Sequence, residues 1–272
     1  MTLTSTDPNL SWNGKDVQPY YTLKIAREYV NFLKTVKKLT KQAKQLYQQD
    51  VKDFPNIHFD RHLYQPLILA HPNIDAMMPP ELNEGEAQFV RDLREYLQKN
   101  NGLFQNKEIF LLRNLTRGKG IGLFDIKAGE AFYPDFILWV IEGKDNKQRN
   151  KDNKQRIAFI DPHGLRMARG GFNDPKIRLH KELEELGKKL SPTSSGTRVY
   201  LTSFIISTTE YEKIKHVFGT GNHAKEEFYQ NHVLFQEKPQ EKPLDYIDWL
   251  LKIMLESKNE TCKSCADIFY FF

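Results

Sequence analysis

The chain has 272 residues, 39% of them hydrophobic and 12% aromatic, enough to build a real core and too apolar for whole-chain disorder. No apolar run approaches the roughly 20 residues that span a bilayer. The first residues lack a secretory pattern, and Cys262 and Cys265 alone make no disulfide framework. Membrane, collagenous and small secreted classes are excluded, and a soluble cytoplasmic protein is expected. Forty Lys and Arg against 35 Asp and Glu leave a formal charge of +5, and its distribution is uneven. Lys24, Arg27, Lys34, Lys37, Lys38, Lys41 and Lys44 face only Glu28 and Asp50 between Tyr20 and Asp50, so this window carries the whole excess.

In chain order, residues 1–20 read as an irregular arm with Asp7-Pro8 and Asn13-Gly14 turn signals. From Leu23 to Tyr47, apolar residues recur every three or four positions without Gly or Pro, which predicts a basic amphipathic helix. Its basic face, Lys34, Lys37 and Lys38 in particular, either tracks a phosphate backbone, docks a protein or is simply solvated. Pro55, Pro66, Pro72, Pro79 and Pro80 mark residues 53–83 as an extended connector. Asn83 with Glu86 three residues on has capping-box spacing, and Phe89, Val90, Leu93, Tyr96 and Leu97 form the stripe of the helix that follows. That helix is expected to end near Asn100-Asn101-Gly102.

The period then changes. The runs beginning at Ile109, Phe136, Ile157 and Val199 are short, β-branched and aromatic, and read as buried strands. Asp174 and Pro175 start a helix between the third and fourth of them, with Leu179, Leu183, Leu186 and Leu190 as its apolar face. Further helices are expected around 208–218, 222–231 and 244–256. Lys144-Asp-Asn-Lys-Gln-Arg recurs at Lys151; so polar a duplication reads as a surface loop between strands and not as core. The chain thus divides into an N-terminal arm, basic helix and connector (1–82), an α/β domain (83–236), and a C-terminal helix and tail (237–272).

Asp135 opens one buried run and Asp161 closes another, where an unpartnered carboxylate is costly. A divalent cation is a fitting partner, because hard ions take one or two carboxylates plus water and phosphate oxygens. Glu86 shares the inward stripe of its helix and is a third candidate, or else closes the capping box and nothing more. His163 follows Asp161 by two residues, beside Gly164.

Glu86, then Pro134-Asp135, then Asp161-x-His163 resemble the PD-(D/E)XK nuclease signature with its final Lys replaced by His163. The order helix, three strands, helix, strand matches the core of that family. Leu82–Val90, Leu111–Gly120, Phe132–Trp139 and Ile160–Leu165 are similar to the C-terminal nuclease region of DEAD/DEAH-box helicases related to type III restriction subunits. The resemblance covers roughly residues 60–210. It implies a restriction-endonuclease-like α/β core and a Mg²⁺- or Mn²⁺-dependent endonuclease acting on DNA in a helicase-linked or restriction system. It makes Asp135 and Asp161 metal ligands, Glu86 a support of the metal or its water, and Glu86, Asp135, Asp161 and His163 the catalytic set. His163 would act as base, ligand or charge stabiliser, with Lys181 or Lys119 making up the missing positive charge. Lys119, in a glycine-rich hairpin, also joins Lys34, Lys37 and Lys38 as a candidate DNA contact. The implied partners are DNA, a separately encoded helicase subunit and a second copy of the chain. The alternative is an inactive DNA-binding or assembly subunit that docks a helicase.

Other signals are weaker. No Gly-x-x-x-x-Gly-Lys-Ser/Thr loop for nucleotide phosphates occurs. Cys262 and Cys265 offer only two ligands, and His216, His223 and His232 lack paired zinc spacing.

Overall fold

A computed structural model describes residues 2–4, 11–12, 15–16, 20–25, 56–59, 61–62, 67–72, 74–115, 121–125, 130–142, 153–165, 170–194, 196–216, 218, 221–237 and 244–256. The strands are β1 (Thr2–Thr4), β2 (Ser11–Trp12), β3 (Lys15–Asp16), β4 (Tyr20–Ile25), β5 (Asn56–Ile57), β6 (Leu67–Ile68) and β7 (Ile74–Met78), then β8 (Lys107–Arg113), β9 (Leu123–Asp125), β10 (Glu130–Phe132), β11 (Phe136–Glu142), β12 (Lys154–His163), β13 (Arg198–Ser207) and β14 (Val233–Phe235). The helices are α1 (Glu84–Lys99), α2 (Pro175–Leu190), α3 (Tyr211–Ile214), α4 (Lys225–Gln230) and α5 (Asp245–Leu255).

The architecture is mixed α/β around a five-stranded sheet of order β14-β13-β12-β11-β8. β11 runs antiparallel to both β8 and β12, whereas β12, β13 and β14 are parallel to one another. The parallel step needs a crossover, and α2 supplies it. Because side chains alternate across a strand, Phe136, Leu138, Val140, Ala158 and Ile160 face one cluster with Phe89, Val90 and Leu93 of α1. Ile137, Phe159 and Leu201 face a second cluster with Leu183 of α2. One sheet therefore has a helix on either face.

α1 begins as its sequence predicts. Asn83 Oδ1 accepts from Glu86 N, and Glu86 Oε2 accepts from Asn83 N, both at 3.0 Å. α2 has Asp174 as its N-cap and Pro175 in its first turn. Its buried face is not the leucine stripe, however. Ile177, His180, Leu183 and Gly187 point inward, while Leu186 and Leu190 are exposed. Gly187 decides the rotation, because its missing side chain lets α2 sit close against the β13 backbone at Val199 and Leu201.

Further expectations are corrected, beginning with the irregular arm of residues 1–20, where β1, β2 and β3 form strands. Tyr20–Ile25 is a strand, paired with β1 and β7, so the helix expected from Leu23 does not start there. The remainder of that helix, with Lys34, Lys37 and Lys38, lies outside the described residues, as do Lys119 and Cys262/Cys265. The connector is not free chain: Ile57, Phe59, Leu67 and Leu82 are buried in the α1-side cluster. The second copy of the polar repeat runs into β12, where Arg156 is buried. Its Nε lies 3.2 Å from Glu142 Oε1 and one terminal nitrogen donates to Met254 O at 3.1 Å. Its guanidinium also covers the Tyr200 ring at 4.5 Å, so an arginine with partners serves as core here. The expected helix at 208–218 is the short α3, and β14 was hidden between two helical stretches.

Candidate functional site

The register builds the site. Phe136 pairs with Ile160 on one side and with Arg113 on the other. One step further along, Asp135 falls opposite Asp161, and Asn114 N donates to Asp135 O at 2.9 Å. Directly opposed residues of an antiparallel pair carry their side chains on the same face. Alternation puts both carboxylates on the α2 face, at the end of the sheet where β12 meets the start of α2.

Asn114 makes that strand end firm. Its amide nitrogen donates to Ile121 O and Pro134 O, and its carbonyl accepts from Ile121 N, all at 2.9 Å. The approach to Asp135 is thus clamped through one buried side chain.

The two carboxyl groups interact, and their surroundings push them apart in acidity. Burial raises Asp135 most; Arg113 opposes that, while the hydrogen bond with Asp161 and the charges of Glu86 and Asp161 raise it further, to about 8. Burial also works against ionisation of Asp161, but contact with His163, its charge and that of Lys176 outweigh it and hold the carboxyl at about 2. A pair holding one proton between two acids is what adjacent carboxylates adopt when no cation neutralises them.

Two basic groups flank Asp161. Lys176 Nζ lies 3.3 Å from Asp161 Oδ2 and 5.2 Å above the Phe132 ring. His163 Nδ1 is also 3.3 Å from that oxygen, off the line of a good hydrogen bond, so that this buried nitrogen lacks an aligned acceptor. His163, Gly164, Leu165, Asp174, Lys176, Ile177 and Ile205 line a cleft of about 180 Å³.

Glu86 is placed differently. It is buried on the α1 face, where its Oε2 takes the Asn83 backbone N–H and an Arg113 terminal nitrogen at 3.0 Å. The other Arg113 terminal nitrogen is 3.4 Å from Asp135 Oδ1 and 3.3 Å from Asp135 O. A buried guanidinium therefore stands between Glu86 and the aspartate pair. Among the described residues, no three His, Cys, Asp or Glu side chains gather as a metal-ligand group. The donor set fits a hard divalent cation seated on two carboxylates, with waters or phosphate oxygens completing it.

Sequence reasoning singled out Asp135, Asp161 and His163, which the fold brings together. Neither Arg113 nor Lys176 was singled out, though both left a trace. Arg113 closes an apolar run, where an arginine needs an acid. Lys176 sits in the first turn of α2, where the helix dipole disfavours a cation. Lys181 is exposed farther along α2.

Comparison of the chain with protein-family models, curated proteins and solved structures found no match.

Proposed function

We propose that this chain is a Mg²⁺- or Mn²⁺-dependent nuclease of the PD-(D/E)XK kind, acting on DNA, with Asp135 and Asp161 as its metal-binding carboxylates. The observation that carries the reading is the juxtaposition of these acids on neighbouring strands, flanked by Lys176 and His163. The helix–strands–helix–strand order around them and the motif resemblance support the same restriction-endonuclease-like core. The resemblance alone favours a role in a helicase-linked or restriction system.

When bound, the ion supplies Lewis-acid polarisation of a phosphoryl oxygen and a water of lowered pKa. The chain's own residues do the rest. Asp135 and Asp161 hold the cation at a strand end that Asn114 keeps rigid. Lys176 Nζ, anchored to Asp161 Oδ2, contributes the fixed positive charge that the family's lysine provides elsewhere, and so stabilises charge on the transferring phosphoryl group. His163, which lines the cleft with its Nδ1 3.3 Å from Asp161 Oδ2, offers Nε2 as the atom that takes or gives a proton.

Nicking or linearisation of supercoiled plasmid with Mg²⁺ or Mn²⁺, against an EDTA control, tests the proposal. Wild type is expected to cleave, and Asp161→Asn to be inactive while folded. Equal cleavage by both proteins would sink it. Among the described residues no third acidic ligand joins the aspartate pair, which gives one specific ground for a second reading, a non-catalytic DNA-binding or helicase-docking subunit. DNA binding without metal-dependent cleavage would favour that reading.

A further inference from the structure

We infer that Arg113 fixes the number of carboxylates this site offers to a cation at two, by holding Glu86 away from the Asp135–Asp161 pair. The inference rests on the reading above in one respect, that the aspartate pair is the cation's seat. It converts a third acid, which sits one guanidinium away, into the partner of a permanent internal charge. The ligand class is then a single hard divalent ion that brings its own waters.

Arg113 ends β8, and alternation turns its side chain to the α1 face, under Glu86. Asp135 and Asp161 lie on the α2 face. Arg113 forms ion pairs with both Glu86 and Asp135, at 3.0 Å and 3.4 Å. An arginine cannot lose its proton in a protein, so the barrier between the acids is a charge and not merely a volume.

Arg113 is only 4% exposed, its backbone N–H donates to His62 Nε2 at 2.9 Å, and its guanidinium lies 4.9 Å over the Phe136 ring. Its Nε nevertheless finds no acceptor. A buried, incompletely satisfied guanidinium is a poor stabilising device, since an apolar residue of similar size is often no worse. What an apolar residue would not do is keep Glu86 neutralised beside a metal-binding carboxylate.

Titration of the purified chain with Mn²⁺, read by calorimetry and by the electron-spin resonance of free Mn²⁺, tests this. The wild type is expected to bind one ion per chain, and Glu86→Gln to bind it no more weakly. Arg113→Gln frees a carboxylate and is expected to bind Mn²⁺ about tenfold tighter, because affinity follows ligand charge count. That increase should vanish in the double variant Arg113→Gln/Glu86→Gln. Weaker binding by Glu86→Gln alone would overturn the inference, since Glu86 would already be a ligand. Unchanged affinity in Arg113→Gln, or an increase that survives in the double variant, would overturn it as well. Should Arg113→Gln not fold, Glu86→Gln in the otherwise intact chain decides the matter. Failure of the underlying reading looks different: Asp161→Asn would then bind Mn²⁺ as the wild type does, or neither would bind it.

Discussion

Asp135 and Asp161 are opposed by the sheet register, and their pKa values move in opposite directions, so each contributes to stability over a different pH window. Asp135, raised from about 3.8 to about 8, stabilises the fold while protonated; that contribution is complete below its unfolded value and is lost as pH rises toward 8. Asp161, lowered to about 2, contributes above its unfolded value and loses that contribution as pH falls toward 2. Thermal unfolding in EDTA should therefore show a melting temperature that declines between about pH 5 and pH 8. Asp135→Asn should flatten the decline, and added Mn²⁺ should offset it in the wild type. A wild-type melting temperature independent of pH over that window would contradict this account of Asp135. On the proposed nuclease reading, replacement of His163 by Ala should lower the cleavage rate on the order of 10²–10⁴-fold, the usual contribution of a proton-transfer group. His163→Lys should preserve activity if only positive charge is needed there and abolish it if a proton must move. Initial rates at saturating DNA and metal separate these cases. The acids and the histidine were legible because polar residues at the ends of apolar runs stand out in a sequence. Arg113 and Lys176 were less so, because their meaning depends on strand register and on the helix packed across the sheet, which local pattern does not encode.

Elements show the same limit in another form. The buried runs of β8, β11, β12 and β13 and the caps of α1 and α2 could be read directly, since period and capping chemistry are local. The rotation of α2 could not. Leu179, Leu183, Leu186 and Leu190 have helical spacing, but so do Ile177, His180, Leu183 and Gly187, and the second set is the buried one. Hydrophobicity favours the first set, and close approach to the sheet selects the second. A Cβ at position 187 would lie 3.1 Å from Leu201 N and 3.3 Å from Val199 O, and both are backbone atoms of a strand that cannot yield easily. Gly187→Val should therefore destabilise the fold by about 1–3 kcal/mol, the usual cost of overpacking, despite the low helix propensity of glycine. Urea denaturation measures it; an unchanged midpoint would mean that α2 can slide outward freely. Because α2 also carries Lys176, the same displacement should weaken the cleavage proposed for this chain.

Across the whole molecule, the division read from sequence, with the α/β domain confined to residues 83–236, meets a core that extends beyond both boundaries. Composition suggested a connector on one side, because five prolines break up segments 53–83. A proline-rich segment can still bury its apolar residues when short strands and bridges satisfy its backbone. Leu82 N donates to Ile68 O at 2.8 Å and Ala70 N to Leu82 O at 3.0 Å, and β5 pairs with β6. On the other side α5 is no appendage. Tyr246, Ile247, Leu250, Leu251 and Met254 belong to the cluster that holds Phe89, Leu138 and Ile160, and the Tyr246 hydroxyl donates to the buried Asp92 of α1 at 2.8 Å. A chain trimmed to residues 83–236 loses Ile57, Phe59, Leu67 and Leu82 together with the α5 side chains. At about 1.5–3 kcal/mol for each buried side chain, that loss exceeds the roughly 5–15 kcal/mol by which a domain is stable. The trimmed chain should therefore show no cooperative thermal transition and weak near-ultraviolet circular dichroism, whereas a chain of residues 56–256 should melt cooperatively. Within the longer chain, Tyr246→Phe should cost about 1–3 kcal/mol, because it withdraws a donor from a fully buried carboxylate. Cooperative unfolding of the 83–236 chain at the full-length midpoint would show that the flanking segments rest on a core already complete without them.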